Sequence, residues 1–254
     1  MEFFDSHAHY NDEKFEIDRK ELLDEIYKDG ITRIICAGYN IEQSEFAVNL
    51  SKDIHYMYAT CGISPNDIED FVDNNLEKIE KLAQNEKVVA IGEIGLDYYW
   101  NKDNKEKQKE LFIKQIELAN KLNKPIVIHT RDAWIDTIEI LKEHPVEKRG
   151  VFHCCPLNQE LIKEALKLGY YISFSGNVTF KNAKSEECIK LVPLDKILIE
   201  TDCPYLSPEP FRGKRNDSRK VKLVAKKVAE VKELSVEVIS KITFITKNKP
   251  PDIF

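Results

Sequence analysis

The sequence predicts a single (β/α)8 barrel, a TIM barrel, spanning residues 1–254. Three observations carry this: short β-branched runs recur along the chain, amphipathic patterns with a period near 3.6 separate them, and no linker-like stretch interrupts the series. Roughly eight strands alternating with helices in about 250 residues is the count of such a barrel. A doubly wound open sheet is the competing architecture, but the first strand-to-helix turn lacks a G-x-G-x-x-G fingerprint.

In chain order, the strand candidates are Phe3–Ser6, Thr32–Ala37, Tyr56–Cys61, Val88–Gly92, Ile126–Ile128, Gly150–Phe152, Tyr170–Phe174 and Ile197–Glu200. Between the first two, Asp18–Lys28 turns Leu22, Leu23 and Ile26 inward and ends at Gly30, a C-terminal cap residue. Lys105–Leu122 places Leu111, Phe112, Leu118, Ala119 and Leu122 on one face, with lysines opposite.

Composition narrows the function. Hydrophobic residues make up 42% and charged residues 32%, a globular balance, and the net charge of −6 excludes a generally basic nucleic-acid coat. It does not exclude a local basic groove. No apolar run approaches the ~18 residues of a membrane span, and MEFFDSHAHY has neither a basic n-region nor a long apolar h-region, so a cytoplasmic protein is expected, with a monomer as the default. The cysteines Cys36, Cys61, Cys154, Cys155, Cys188 and Cys203 match no zinc ribbon or paired CxxC framework and are expected as small buried thiols.

The informative residues stand where the strands end. Phe3 to Ser6 runs into His7-Ala8-His9, and alternation puts His7 and His9 on one side, within reach of one metal. Four further strands end the same way, in Glu93, His129, His153 and Asp202. Singly, each is most simply a satisfied polar residue past a strand. Jointly, several ionisable groups at one barrel mouth are costly to desolvate unless they share a partner, and a divalent cation suits imidazoles and carboxylates. His55, at a strand start, and His144, beside Pro145, fit no such pattern and read as structural. Asp5 shares strand parity with His7 and either orients it or stabilises the turn.

With these residues in hand, DSHAHY, AIGEIGLDYY, KPIVIHTRDA, GYYISFSGNVTFKNA, VPLDKILIETDCPYL and RGKRN resemble the TatD family of metal-dependent deoxyribonucleases, barrel members of the amidohydrolase-like hydrolases. The matching segments run in family order from Asp5 to about Asn216. The resemblance implies one or two divalent metals (Mg, Mn or Zn), with His7, His9 and Asp202 on the first, His129 and His153 on the second, and Glu93 bridging. It implies DNA as substrate, cleaved from strand ends. Glu93 and Asp202 would be the catalytic carboxylates, Asp202 accepting a proton from the attacking water.

Substrate contacts are expected from Arg131, two residues past His129, which could equally pair with Glu200, and from the run Arg212, Lys214, Arg215, Arg219, Lys220 and Lys222. With Asp217 the run carries +5, leaving −11 for the rest of the chain. Phosphate binding there would be salt-sensitive and sequence-blind. The lysine-rich stretch Lys102–Lys109 reads instead as a solvated helix start. Tyr98, Tyr99 and Trp100 could stack a base or wall the pocket.

The chain departs from the family at four places. Ser64 stands for a histidine after Gly62-Ile63, Cys154-Cys155-Pro156 for Phe-Ser-Gly after His153, and Phe211 for a histidine before the basic run. Lys247-Asn248-Lys249-Pro250-Pro251 should stop the last helix early. Ser64 still donates a hydrogen bond and is kept as a substrate contact, but two lost imidazoles bear on phosphate binding and on proton delivery. Three readings follow: a DNA phosphodiesterase, favoured by the basic run; a small-molecule amidohydrolase or esterase on the same metals; and a weakly active metal-binding homologue.

Overall fold

In the computed structural model, which describes residues 1–72, 74–100 and 102–245, eight parallel strands pair in the order of the chain. They are β1 (Phe3–Ala8), β2 (Ile31–Ala37), β3 (Met57–Cys61), β4 (Val88–Asp97), β5 (Ile126–Arg131), β6 (Gly150–Phe152), β7 (Tyr171–Phe174) and β8 (Ile197–Ile199). The helices α1 (Arg19–Lys28), α2 (Ile41–Asp53), α3 (Asn75–Ala83), α4 (Lys105–Lys121), α5 (Trp134–Glu143), α6 (Gln159–Lys167), α7 (Ser185–Leu191) and α8 (Val221–Lys232) each follow one strand, and α9 (Val236–Ile245) follows α8. The seam between β8 and β1 is closed by hydrogen bonds from Ser6 Oγ to the Ile199 carbonyl (3.1 Å), from Asp202 N to the His7 carbonyl (3.0 Å) and from His9 N to the Cys203 carbonyl (2.7 Å). This is the TIM barrel the alternation predicts. The stretch 247–251, expected to end the last helix, lies outside the described residues.

Apolar side chains fill two spaces. Phe4, Ile35, Val89, Ala90, Val127, Val151 and Leu198, from six different strands, pack as one small cluster inside the barrel. A larger cluster lies between the strands and the helices and takes in Leu22, Leu23 and Ile26 of α1 and Leu111, Phe112, Leu118 and Ala119 of α4. Gly30 follows α1 at φ 89°, the left-handed turn that ends a helix without strain only at glycine. The same buried face of α4 also carries Gln108 and Gln115. Gln115 exchanges both amide hydrogen bonds with the backbone of Ile63 (2.8 and 2.9 Å), and Gln108 does the same with Asp97 (2.9 and 3.1 Å). A helix read as an apolar face therefore also clamps the ends of β3 and β4.

Several strands are longer than their apolar runs. The β4–β5 ladder continues past Gly92 through the pairs Ile94–Ile128, Gly95–His129, Leu96–Thr130 and Asp97–Arg131. Glu93 and His129 thus lie within strands, as does His7, rather than just beyond them. Gly95 makes the continuation possible: at φ 140°, a Cβ there would stand 2.0 Å from the His129 carbonyl oxygen.

Two ladders gain a residue where the site begins. Between Asp5–Ile34 and Ala8–Cys36, β1 advances three residues while β2 advances two, and β4 does the same against β5 between Ile91–Ile126 and Ile94–Ile128. Each is a β-bulge, which re-aims the side chains beyond it. The parity assumed for Asp5 is corrected by the first bulge. Asp5 faces Thr201 and Ser218, accepting from Thr201 N (2.9 Å), Thr201 Oγ1 (2.5 Å) and Ser218 Oγ (2.6 Å), while His7 turns to the mouth. Asp5 touches His7 only through the backbone N–H, at 3.5 Å.

Candidate metal centre

The bulges and the strand parities bring His7, His9, Glu93, His129, His153 and Asp202 together at the C-terminal mouth. Glu93 is the hub. Its Oε2 lies 3.3 Å from His7 Nε2 and 3.7 Å from His9 Nε2, and its Oε1 lies 3.0 Å from His129 Nδ1 and 3.3 Å from His153 Nε2. Asp202 Oδ1 stands 3.2 Å from His9 Nε2 and 3.8 Å from His7 Nε2. One carboxylate oxygen thus serves each pair of imidazoles.

The outer atoms of the rings fix which nitrogen faces inward. His9 Nδ1 lies 3.2 Å from the Ala37 carbonyl, which can only accept, so Nδ1 carries the hydrogen and Nε2 presents a lone pair. His129 Nε2 lies 2.9 Å from Asp97 Oδ2, leaving Nδ1 to face Glu93. Asp97 is in turn held by the amides of Tyr99 (2.9 Å) and Trp100 (3.1 Å) and by Asn66 Nδ2 (3.3 Å). His153 Nδ1 sits 3.4 Å from Glu200 Oε1, an ion-pair contact without hydrogen-bond alignment, and Glu200 Oε1 accepts from Cys154 N at 2.7 Å.

These lone pairs converge. His7 Nε2 and His9 Nε2 are 3.1 Å apart and both abut Glu93, so at most one can hold a proton between them. Ligands about 2.0–2.2 Å from a shared tetrahedral ion stand roughly 3.4 Å from each other, and the imidazole–carboxylate separations here run from 3.0 to 3.8 Å. Three donor groups meet within 4.8 Å: His7, His9 and Glu93; Glu93, His129 and His153; and His7, His153 and Asp202. The residues present fit a divalent cation.

Electrostatics agree. Burial opposes the Glu93 charge, yet His153, His129 and His7 outweigh it and hold its carboxyl well below the usual range. Burial and the neighbouring His153 push His7 down, toward the neutral ring. His9 and His129 rise against burial because Asp202, in the first case, and Asp97 and Glu93, in the second, sit against them. Asp202 stays below the ordinary carboxylate range through His9, although burial opposes it. It adopts φ 56°, a left-handed backbone that aspartate tolerates better than most residues, next to Thr201, which Asp5 clamps. Burial raises Asp5 itself to about 7.

The cavity over the centre, about 700 Å³, is lined by five of the six donors and by Asn66, Trp100, Arg131, Cys154, Tyr205 and Leu206 among others. A larger one, about 820 Å³, lies against α7 and α8 and contains none of them. Arg131 rests 3.7 Å over the Tyr99 ring rather than against Glu200, which faces His153. Tyr98 is buried and bonded to Asp136 (2.7 Å), whereas Tyr99 and Trp100 remain 48% and 66% exposed, so only the latter two can meet a ligand.

Two expected substrate contacts, Ser64 and Arg215, have partners within the protein. Ser64 caps the turn that follows it, accepting from Asn66 N (3.2 Å) and donating to Asp67 (2.7 Å), and Asn66 rather than Ser64 reaches the cavity. Arg215 is drawn to Asp18, with contacts of 2.8 and 2.5 Å, and to the Lys14 carbonyl. Arg219, Lys220 and Lys222 pair with Asp217 and Glu25, Asp217, and Asp29. Arg212 and Lys214 have no carboxylate partner among the described residues; Arg212 lies 3.8 Å over Phe180. The six cysteines are free thiols, all but Cys154 buried. Cys154 borders the cavity but turns its sulfur to Ser175 Oγ (3.1 Å). His55 packs on Tyr27 and Tyr56, and His144 ends α5.

Asp97 and Glu200 belong to the site as well, set behind His129 and His153. Glu200 shares strand parity with Asp202, and Asp97 lies in the quoted AIGEIGLDYY; both signals were present in the chain.

A parallel barrel whose mouth gathers four imidazoles and two carboxylates defines a metal-dependent hydrolase. The model of the TatD related DNase family matches residues 4–248. The uncharacterized metal-dependent hydrolase YabD of Bacillus subtilis is 45% identical over 242 residues, covering 94% of this chain and 95% of that one. The crystal structure of YJJV, a TatD homologue of Escherichia coli, superposes with a TM-score of 0.91 at 27% identity, covering 95% of each chain. A hydrolase of the TatD family from Entamoeba histolytica shares the fold, with a TM-score of 0.87 at 22% identity and 99% of each chain covered. The chain belongs to the TatD family. Among the described residues no helix is long and apolar enough to cross a membrane.

Proposed function

We propose that the centre hydrolyses phosphodiester bonds of DNA, working from strand ends. The observation that supports this over a neutral carbonyl substrate is Arg131, a cation with no carboxylate partner among the described residues that lines the same cavity as Glu93. An anionic ester uses such a charge; a carbonyl does not need it.

In this reading His7, His9 and Asp202 would hold one cation and His129 and His153 a second, with Glu93 shared between the two sets. Mg, Mn or Zn, when bound, supplies Lewis acidity that acidifies water and polarises the phosphoryl oxygens. Ala37, Asp97 and Glu200 keep the inward nitrogens of His9, His129 and His153 aimed. Asp202, kept ionised by His9, takes the proton as water attacks phosphorus and the bond to the leaving oxygen breaks. Arg131 orients the phosphate from its seat on Tyr99, and Arg212 and Lys214 extend the positive rim.

The test adds purified protein with Mg, Mn or Zn to end-labelled single- and double-stranded DNA, beside an ester and a dihydropyrimidine. Progressive release from an end is expected. Turnover of the ester or dihydropyrimidine with intact DNA would overturn the reading in favour of carbonyl chemistry.

A further inference from the structure

Asn216 ends the stretch RGKRN, but unlike the cations before it this residue is fully buried. Its Nδ2 donates to the Thr201 carbonyl at 2.9 Å and to the Tyr205 carbonyl at 2.7 Å, and its backbone N–H donates to the Pro204 carbonyl at 3.0 Å. Asp202 lies inside this bracket. We propose that Asn216 is a positioning residue that holds Asp202 in place at the metal centre. Asp202 as the proton acceptor rests on the phosphodiesterase reading; its placement among the donors rests on geometry alone.

Two left-handed residues frame the bracketed segment. Asp202 has φ 56° and Leu206 has φ 50°, and neither is a glycine. Such residues are strained, leucine more than aspartate, and persist only where their surroundings over-determine them. The carbonyls that Asn216 grips belong to Thr201 and Tyr205. Each therefore lies in the peptide plane that leads into one of the two left-handed residues. One amide group, with two hydrogens for two acceptors, fixes both planes. Asp202, Tyr205 and Leu206 all line the cavity over the centre.

The other side of the segment is tied to β1. Thr201 N donates to Asp5 Oδ1 (2.9 Å), Asp202 N donates to the His7 carbonyl (3.0 Å), and the Cys203 carbonyl accepts from His9 N (2.7 Å). Within the segment, Cys203 N donates to Thr201 Oγ1 (3.3 Å) and Tyr205 N to the Asp202 carbonyl (3.0 Å). Every backbone N–H and carbonyl from Thr201 to Tyr205 thus has a partner. β1 anchors one side to the strand that supplies His7 and His9, and Asn216 holds the opposite side. Without its two side-chain hydrogens both left-handed planes can relax, and Asp202 Oδ1 loses its place 3.2 Å from His9 Nε2.

The experiment compares the native protein with Asn216→Ala and Gln115→Ala. Gln115 is an equally buried amide that also bonds twice to backbone, but at Ile63, so its loss controls for a purely structural cost. Mn affinity is read by calorimetric titration, donor geometry by the visible absorption of Co(II)-loaded protein, and turnover as kcat and KM on DNA ends. Asn216→Ala should lower the affinity for one Mn equivalent about 10–100-fold and shift the Co(II) bands. It should lower kcat about 10–100-fold while KM changes less than about twofold. Gln115→Ala should lower the urea midpoint comparably, yet leave the Co(II) bands in place and Mn affinity within about twofold. Asn216→Ser, which keeps one short donor, replaces the alanine variant if that does not fold, and should lower Mn affinity about three- to tenfold. Native Mn affinity and Co(II) bands in the Asn216 variants, or equal changes in Gln115→Ala, would overturn the positioning role and leave the phosphodiesterase reading standing. DNA left intact by the native protein would remove that reading, while metal effects confined to the Asn216 variants would still support the placement of Asp202.

Discussion

The donors at the barrel mouth and the cations of residues 212–222 are both dense clusters of ionisable side chains, but their charges are arranged oppositely. At the mouth, Glu93 lies between four imidazoles whose outer nitrogens, on three of the rings, face protein acceptors, so the inner lone pairs are left pointing at one another. In the loop, four of six cations are neutralised by Asp18, Glu25, Asp29 and Asp217, and the other two, Arg212 and Lys214, have no carboxylate partner among the described residues. The first arrangement is unfavourable without a cation, and the second is stable as it stands. The difference teaches that a count of charges locates a site only after the fold has assigned their partners.

The largest break of the comparison is removal of metal. Chelation should lower hydrolysis by roughly 10³-fold or more, and added Mn should restore it; activity that survives exhaustive dialysis against chelator would mean the mouth works by its side chains alone. Next comes the aim of one donor. Asp97→Asn keeps the shape but loses the charge on His129, and calorimetric titration should show metal affinity at one position falling about 10–100-fold. An unchanged titration would make Asp97 a loop anchor only.

A smaller effect is expected from the clamp beneath the mouth. Asp5→Ala leaves Thr201 N and two hydroxyls without their acceptor, at a cost of about 1–3 kcal/mol in urea unfolding. The smallest effects belong to the loop. Arg215→Ala should change stability by at most about 1 kcal/mol, since its pair with Asp18 is solvent-exposed. Burial opposes the Asp217 charge, but Arg219 and Lys220 hold its carboxyl below the ordinary 3.8. A group depressed by folding stabilises above its unfolded value and loses that contribution as pH falls through the folded one. Asp217→Asn should therefore narrow the stability difference from the native protein below about pH 4; parallel acid-unfolding curves would show the pair to be inert.

The barrel and its six donors were legible because the apolar runs of a parallel sheet end where its mouth begins, so His7, Glu93, His129, His153 and Asp202 each stand behind such a run. What was missed depends on pairing. Gly92 and Glu93 read as the end of a strand, but the ladder to β5 carries β4 on to Asp97, and the partner of His129 was left out with it. The extra residue between Asp5 and Ala8 reverses a parity that alternation takes for granted, and no single strand reveals it. The partners of the loop cations were hidden for the same reason. Asp18, Glu25 and Asp29 lie roughly 190 residues earlier in the chain and meet the loop only when β1 closes on β8.

The central claim is that Glu93 joins two donor sets into one centre. Counting tightly bound Mn per chain by equilibrium dialysis, in the native protein and in Glu93→Ala, tests it most directly. The account predicts two equivalents in the native protein and at most one in the variant, with DNA cleavage lost. Two tight equivalents retained by Glu93→Ala, or cleavage that persists in it, would contradict the account.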